Sequence, residues 1–496
     1  MIPYADFTFF GLLLYVVVPT LILGFFGRAN WRWALLLTAL MLIIQYQGRL
    51  KIGPHTQLRE IWLVTAFGFW QCAVMKAYAA SRKREGTLFY MAIAASVLPL
   101  LLAKIAPVLD PRNPIGFLGV SYITFRALDV VFCLRDNVIV APGLFDFLGF
   151  LFFFPTISSG PIDRYRRFAG DWKRRRTRDQ FLLDLDAAIH RIFRGFFYKF
   201  ILAVLIKQYW LDPAASESTL SALVSYMYAY SLYLFFDFAG YSAFAIAFSY
   251  LLGVHTPENF DRPFFARNIR DFWNRWHITL SFWFRDHVYM RFLLTARRAR
   301  WPINPHATAI IGYFLSFGLM GLWHGVEPHF VIYGLYQATL LSGFHIFSEW
   351  SKERSLPANR PLWRAGATFV TFNLVCFGFL IFSGRLGAGP EFNYTGAFEQ
   401  ANCEEISGWA LDQHQPNVPV RVDLYDGKEY VMTVLADQSR EDSNGAGYGN
   451  GRHAFRFQTP PQLKDGRPHS LSIFITGTKR TIMPAPRILL CPNAGD

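Results

Sequence analysis

Three places in this chain put groups able to do chemistry where none is expected. The first is Met320-Gly321-Leu322-Trp323-His324-Gly325, a histidine within residues 301–326, which contain no Asp, Glu, Lys or Arg. The second is Phe272-Trp273-Asn274-Arg275-Trp276-His277, followed by Ser281 and the pair Arg285-Asp286. The third is Asp237, a single acid joining two apolar runs. An ionisable group inside an apolar run costs about 2.5–3.5 kcal/mol on insertion scales, so each is a functional hypothesis by default. Histidine suits acyl transfer, because an imidazole with a reference pKa of about 6.5 can take a proton from an attacking hydroxyl and return it to a leaving group. No Gly-x-Ser-x-Gly elbow occurs and Ser281 has no triad order, so direct transfer without a protein nucleophile is the simpler chemistry. His190, His255, His306, His329 and His345 read as hydrogen-bonded core residues, and Arg285-Asp286 as an ion pair.

The elements that must hold these groups are membrane helices. Of 496 residues, 53% are hydrophobic and 18% aromatic, and only 17% are charged, against about 25% in soluble domains. That composition excludes a set of soluble domains, disorder and a disulfide scaffold. The net charge of +14 sits in the apolar part: residues 385–496 hold 11 Lys+Arg against 13 Asp+Glu, leaving 38 against 22 before them. Basic clusters set between apolar runs are cytoplasmic loops, not a nucleic-acid surface. A spanning helix needs about 20 apolar residues. Residues 7–27, 86–103, 218–236, 238–257, 301–326, 328–348 and 365–383 qualify, and 33–48, 61–75, 138–162 and 195–211 are shorter runs. They predict an all-α polytopic membrane protein with about 10 to 12 crossings. Segments 114–125 and 262–291 do not read as simple spans and should line a cavity.

Orientation follows from Lys and Arg. Residues 164–178 carry Arg164, Arg166, Arg167, Lys173, Arg174, Arg175, Arg176 and Arg178 against Asp171. With Arg82, Lys83, Arg84 and Lys352, Arg354, Arg360, Arg364, they mark the cytoplasmic side of an inner membrane, which places the tail outside. Arg164, Arg166, Arg167, Lys173, Arg174 and Arg175 could also dock an acidic cytoplasmic partner.

Beyond Gly387 the pattern changes to period two. Val420, Val422 and Leu424 alternate with Arg421 and Asp423, Asp426-Gly427 gives a turn, and Tyr430, Met432 and Val434 resume the alternation. The chain therefore divides into a membrane domain, 1–386, and a small β-sandwich domain, 387–496. Cys403 and Cys491 sit near its first and last strands, where an outside location permits a disulfide. Cys72, Cys133 and Cys376 lie in apolar spans as packing residues, and no Cys-x-x-Cys spacing suggests a metal. Trp409 and Tyr448 could contact a glycan, but core packing accounts better for Trp409.

The run Phe272 to Ser281, with Asp237-Phe238-Ala239-Gly240-Tyr241, Pro257-Glu258-Asn259-Phe260 and Gly321-Leu322-Trp323-His324-Gly325, resembles the membrane-bound O-acyltransferase superfamily over most of 1–384. Ser159 to Phe168, Leu118 to Arg126 and Phe284 to Arg291 are similar to its D-alanyl-transferring branch, the alternative being the branch that O-acetylates alginate. The resemblance implies a ring of helices around a tunnel, with His324 as the catalytic histidine and His277 at a position filled by Asn or His in relatives. On our own reading of the residues, Asn274, Trp273, Trp276, Trp323, Asp237 and Ser281 are expected around the substrate, with Asn274 positioning the donor and the three tryptophans excluding water. The resemblance also implies no bound cofactor: the acyl donor would arrive on the phosphopantetheine of an acidic acyl-carrier-like protein, and the acceptor would be an envelope glycan or a small membrane partner. The β domain departs from the familiar form. A transporter is the rival of a different class, but no matching inverted halves are evident.

Overall fold

The structure, a computed structural model, describes all residues except 1, 48, 53–55, 82–83, 110–115, 218, 354–360, 387–393, 413–416, 428, 440–450, 477–480 and 493–496. Arg82, Lys83, Arg354, Arg360 and Tyr448 lie outside the described residues. The chain forms two compact units, one made of 1–207 with 227–386 and the other of 208–226 with 387–496.

The first unit is helical. Six helices among the described residues are long and apolar enough to cross a membrane: Phe7–Phe25, Thr87–Ala106, Leu220–Leu251, Pro305–His324, Pro328–Ser351 and Pro361–Phe382. Three of them open on proline, whose missing N–H costs nothing at a first helical position. Asp6 and Asn30 cap the helices that follow them by accepting from Phe9 N and Arg32 N. A Thr177–Gln180 capping box starts Arg178–Phe196.

The six are fewer than the eleven apolar runs: runs 33–48 and 61–75 form the helices Trp31–Gln45 and Glu60–Ala80, outside those six, and the remaining differences are these. Residues 218–236 and 238–257 do not make two spans, because one 32-residue helix, Leu220–Leu251, runs straight through Asp237. Lys199 pairs with that carboxylate, so the acid needs no break in the helix to reach water. Run 138–162 folds into short pieces, Leu144–Leu151 and a 3-10 turn at Phe154–Thr156, whereas run 195–211 continues the helix Arg178–Phe196 without a break through π-helical turns at Phe197–Leu202 and Lys207–Leu211.

Broken backbone at membrane depth leaves carbonyls without partners, and a buried cation answers that here. Arg126, 1% exposed, donates to the carbonyls of Phe150 (3.1 Å), Leu151 (3.1 Å) and Thr156 (2.6 Å), where Leu144–Leu151 ends. Arg126 lies in the buried helix Val120–Arg135, so the later part of segment 114–125 begins a core helix. Segment 262–291 breaks as expected, into Ile269–Trp273, Ile278–Phe284 and a π turn at Arg285–Tyr289.

The second unit contains two four-stranded antiparallel sheets. After a hairpin of β1 (Arg49–Ile52) and β2 (Thr56–Arg59) in the first unit, the strands are β3 (Tyr394–Ala401), β4 (Glu405–Asp412), β5 (Val420–Asp426), β6 (Glu429–Ala436), β7 (Gln438–Ser439), β8 (Arg452–Gln458), β9 (Pro468–Ile475) and β10 (Arg487–Leu490). The sheet orders are β10-β9-β5-β6 and β3-β4-β8-β7. Phe398, Ile406, Val422, Leu424, Phe455, Leu471 and Ile473 form the buried core, which the period-two pattern dictates. A Cys403–Cys491 disulfide closes the domain, and Trp409 is half-buried on β4.

Candidate active site

His324 is the last residue of its helix rather than a mid-helix residue, and it is half-buried. The surrounding glycines explain the placement. A Cβ on Gly334 would lie 2.3 Å from Phe317 O and one on Gly321 would lie 2.5 Å from Phe330 O, so both must be glycine for the helices 305–324 and 328–353 to meet backbone to backbone. A Cβ on Gly325 would strike Glu327 and the Phe330 ring, so the turn after His324 also admits glycine alone. The imidazole sits among the rings of Trp323, Phe382 and Phe330 at 4.6, 4.9 and 6.0 Å. Trp323 packs in turn on Tyr122 and Phe125, and its buried Nε1–H has no hydrogen-bond partner among the described residues.

His277 is buried, 4% exposed, and opens the helix Ile278–Phe284 from a left-handed backbone conformation (φ 42°). Its Nδ1 lies 3.0 Å from Asn259 Oδ1, and its ring stands edge-on to Phe238 at 4.8 Å. The Asn259 oxygen also accepts from Thr279 Oγ1 (2.9 Å), while its Nδ2 donates to Ser242 Oγ (3.3 Å). An amide oxygen can only accept, so Nδ1 of His277 carries the proton and the lone pair of the neutral ring is on Nε2.

The other expected site residues divide. Trp323 is at the site. Trp273 and Trp276 are buried packing residues: Trp273 Nε1 donates to Gln337 (3.2 Å), and Trp276 is wedged between Phe260 and Phe379 at 5.1 and 4.7 Å. Ser281 donates to the Trp276 carbonyl (3.1 Å), stapling the turn. Asn274 is exposed at the C-cap of Ile269–Trp273 and is not brought to His277, because the chain reverses between them. Asp237 is occupied by Lys199.

The basic segment is only partly free. Arg164 pairs with buried Asp129 (3.0 Å) and with Asp286 (3.1 Å), and Asp129 also accepts from His287 (2.9 Å). Arg167 pairs with Asp163 and Asp171, Arg176 with Asp184 (3.0 Å), and Lys173 with Asp146 (2.6 Å). Arg164 and Arg167 therefore lock the fold and are not free to dock a partner. Arg166, Arg174 and Arg175 are exposed. His255 donates from Nε2 to Asp184 (2.7 Å) as expected of a bonded histidine, and that hydrogen bond to the carboxylate raises its pKa. His190 and His306 are exposed instead of buried, and Arg285–Asp286 forms its ion pair at 2.8 Å, half-exposed.

Sequence reasoning missed Asn259 as the hub, since a neutral amide gives no charge signal in an apolar run. It missed Arg126 and Asp129 although the same criterion that singled out Asp237 applies to both. A cleft of about 220 Å³, lined by Arg191, Arg194, Tyr198, Ser242, Glu258 and Asn259, ends on the hub that holds His277.

A family model described as MBOAT, membrane-bound O-acyltransferase family, matches residues 54–385. Teichoic acid D-alanyltransferase of Bacillus subtilis (strain 168) is 43% identical over 399 residues, covering 78% of this chain and 98% of its own. Teichoic acid D-alanyltransferase of Lacticaseibacillus rhamnosus is 37% identical, covering 77% and 97%. Probable alginate O-acetylase AlgI of Pseudomonas fluorescens is 30% identical over a shorter stretch, covering 53% and 50%. The family match ends at 385, which leaves the strands of the second unit outside it.

Proposed function

Because this chain belongs to the membrane-bound O-acyltransferase family, we propose that it transfers D-alanine from a carrier-protein thioester to a hydroxyl of a teichoic-acid-like envelope polymer. The D-alanyl relatives match at higher identity and over nearly their whole length, which favours this donor over acetyl. The observation that carries the reading is a half-buried histidine at a helix end, walled by Trp323, Phe330 and Phe382, with a second imidazole buried and fixed as a single tautomer.

In this mechanism a ring nitrogen of His324 takes the proton of the acceptor hydroxyl as its oxygen bonds to the thioester carbonyl carbon. The free Nε1–H of Trp323 donates to the carbonyl oxygen as it becomes an oxyanion. Collapse breaks the C–S bond, and the departing thiolate takes the proton from the imidazolium. His277, its Nδ1–H held by Asn259, offers Nε2 to orient a polar group of the donor. The aromatic wall of Trp323, Phe330 and Phe382 limits competing water.

The two reactants come from opposite sides. The helices Pro305–His324 and Pro361–Phe382 each follow a basic stretch, Arg297–Arg300 and Lys352–Arg364. Both therefore run outward through the inner membrane, and their C-terminal ends bring His324 and Phe382 into contact at 4.9 Å. That direction puts His324 toward the acceptor. The cleft beside Arg191 and Arg194 serves the phosphopantetheine-linked donor, whose acidic carrier meets Arg166, Arg174 and Arg175. An outward tail is the orientation this reading takes, and the Cys403–Cys491 disulfide, which persists in an oxidising compartment, supports it.

Reconstituted protein supplied with a D-alanyl carrier and a teichoic acid should yield alkali-labile D-alanine esters by mass spectrometry. Acetyl esters formed in preference to D-alanyl esters from a mixed donor supply would overturn the assignment.

A further inference from the structure

The second unit carries a feature that acyl transfer does not use. Along β5, β6 and β9 the residues Val422, Leu424, Leu471, Ile473 and Ile475 point into the core. The opposite face should be polar on a solvated sheet, yet it carries three aromatic rings side by side across three strands. Tyr425 on β5 lies 5.7 Å from Tyr430 on β6 and 5.3 Å from Phe474 on β9, and Tyr430 is 57% exposed.

A polar ledge runs beside these rings. Tyr430 OH and Thr433 Oγ1 are 2.9 Å apart, Thr433 Oγ1 donates to Asp423 Oδ1 (2.5 Å), and Thr476 Oγ1 donates to the same oxygen (2.7 Å). These bonds fix the carboxylate and leave Oδ2 without a partner among the described residues. One exposed ring, Tyr430, backed by the half-buried Tyr425 and Phe474 and set next to an oriented acceptor and hydroxyls, matches a ligand with an apolar C–H face and a hydroxyl rim. Charge narrows the choice further. The fixed Asp423 carboxylate is an anion on this face and repels a phosphodiester at that point.

We propose that this outward face of β5, β6 and β9 is a saccharide-binding site that takes a neutral sugar unit of the envelope polymer. The sugar stacks on Tyr430 and hydrogen-bonds to Asp423 Oδ2. The site rests on the proposed function only for the identity of the polymer, and it gives the tail a role independent of His324: holding the polymer on the chain that modifies it.

The test uses full-length protein in lipid nanodiscs and two immobilised probes, a glycosyl-substituted poly(glycerol phosphate) and the same polymer with its sugars removed. The substituted polymer should bind at least roughly tenfold tighter than the stripped one. Tyr430→Ala should lose that difference, Tyr430→Phe should keep most of it, and Asp423→Asn should weaken binding with the rings intact. Transfer of D-alanine to a small soluble polyol, measured in parallel, should be unchanged in all three, which separates this claim from that of the catalytic centre. Equal binding of the two polymers, binding of neither, or full binding by both Tyr430→Ala and Asp423→Asn would overturn the site.

Discussion

His277 and His324 look alike in sequence and differ in what surrounds them. His324 ends a helix and is half-buried as a residue, whereas His277 is buried and committed through Nδ1 to Asn259. Replacing Asn259 with Ala removes the acceptor that selects the tautomer. The expected outcome is a loss of about 10- to 100-fold in single-turnover transfer, measured per molecule of membrane-inserted protein. A rate equal to wild type would remove Asn259 from the account. Both histidines were legible because ionisable groups in apolar runs are costly and therefore conspicuous. Asn274 is exposed while His277, three residues on in the same short polar string, is buried, a difference the string itself does not signal. Trp273 and Trp276 share the string but face the core, a distinction that depends on Gln337 and Phe379, both more than fifty residues away.

At the scale of elements, close helix contact sets the position of His324. Gly334→Ala inserts a methyl group 2.3 Å from Phe317 O, where only backbone can yield. We expect a destabilisation of about 1–3 kcal/mol and a displaced His324, read as a lower unfolding temperature together with reduced transfer. The β9 strand carries a second element-level device. His469 is held by Asp426 (Nδ1, 2.7 Å) and Asp465 (Nε2, 2.9 Å), and the bond to Asp426, followed by that to Asp465, raises its pKa. A raised folded value means the clamp contributes fully below about pH 6.5 and is lost as pH rises through the folded pKa. Thermal scans from pH 6 to 9 should show wild type losing stability that His469→Gln does not lose; parallel curves would contradict the clamp. Strand alternation made the β elements readable, and proline starts and polar caps frame the helices. The 32-residue helix was not readable, because the lysine that neutralises Asp237 lies 38 residues earlier on another element.

At the scale of the whole molecule, the change from long apolar runs to period-two alternation announced two architectures. Neither the sheet orders nor the grouping of 208–226 with the tail has a local sequence signal, since both depend on contacts between distant segments. The disulfide spans 88 residues, and closing a loop of that size removes unfolded-state entropy worth about 4–5 kcal/mol on the chain-entropy scale. Cys403→Ser with Cys491→Ser should lower the unfolding temperature of the tail while leaving transfer to a small acceptor intact. Unchanged thermal stability of the tail would show that the bond closes no constraint that matters there.

The account stands on His324 as the base that meets the acceptor. The direct measurement is D-alanyl transfer by His324→Ala in proteoliposomes, supplied with the thioester on one side and the acceptor polymer on the other, with insertion confirmed for the same preparation. The predicted result is a loss of about 10²- to 10⁴-fold with donor binding retained. Transfer at the wild-type rate by the inserted variant would contradict it.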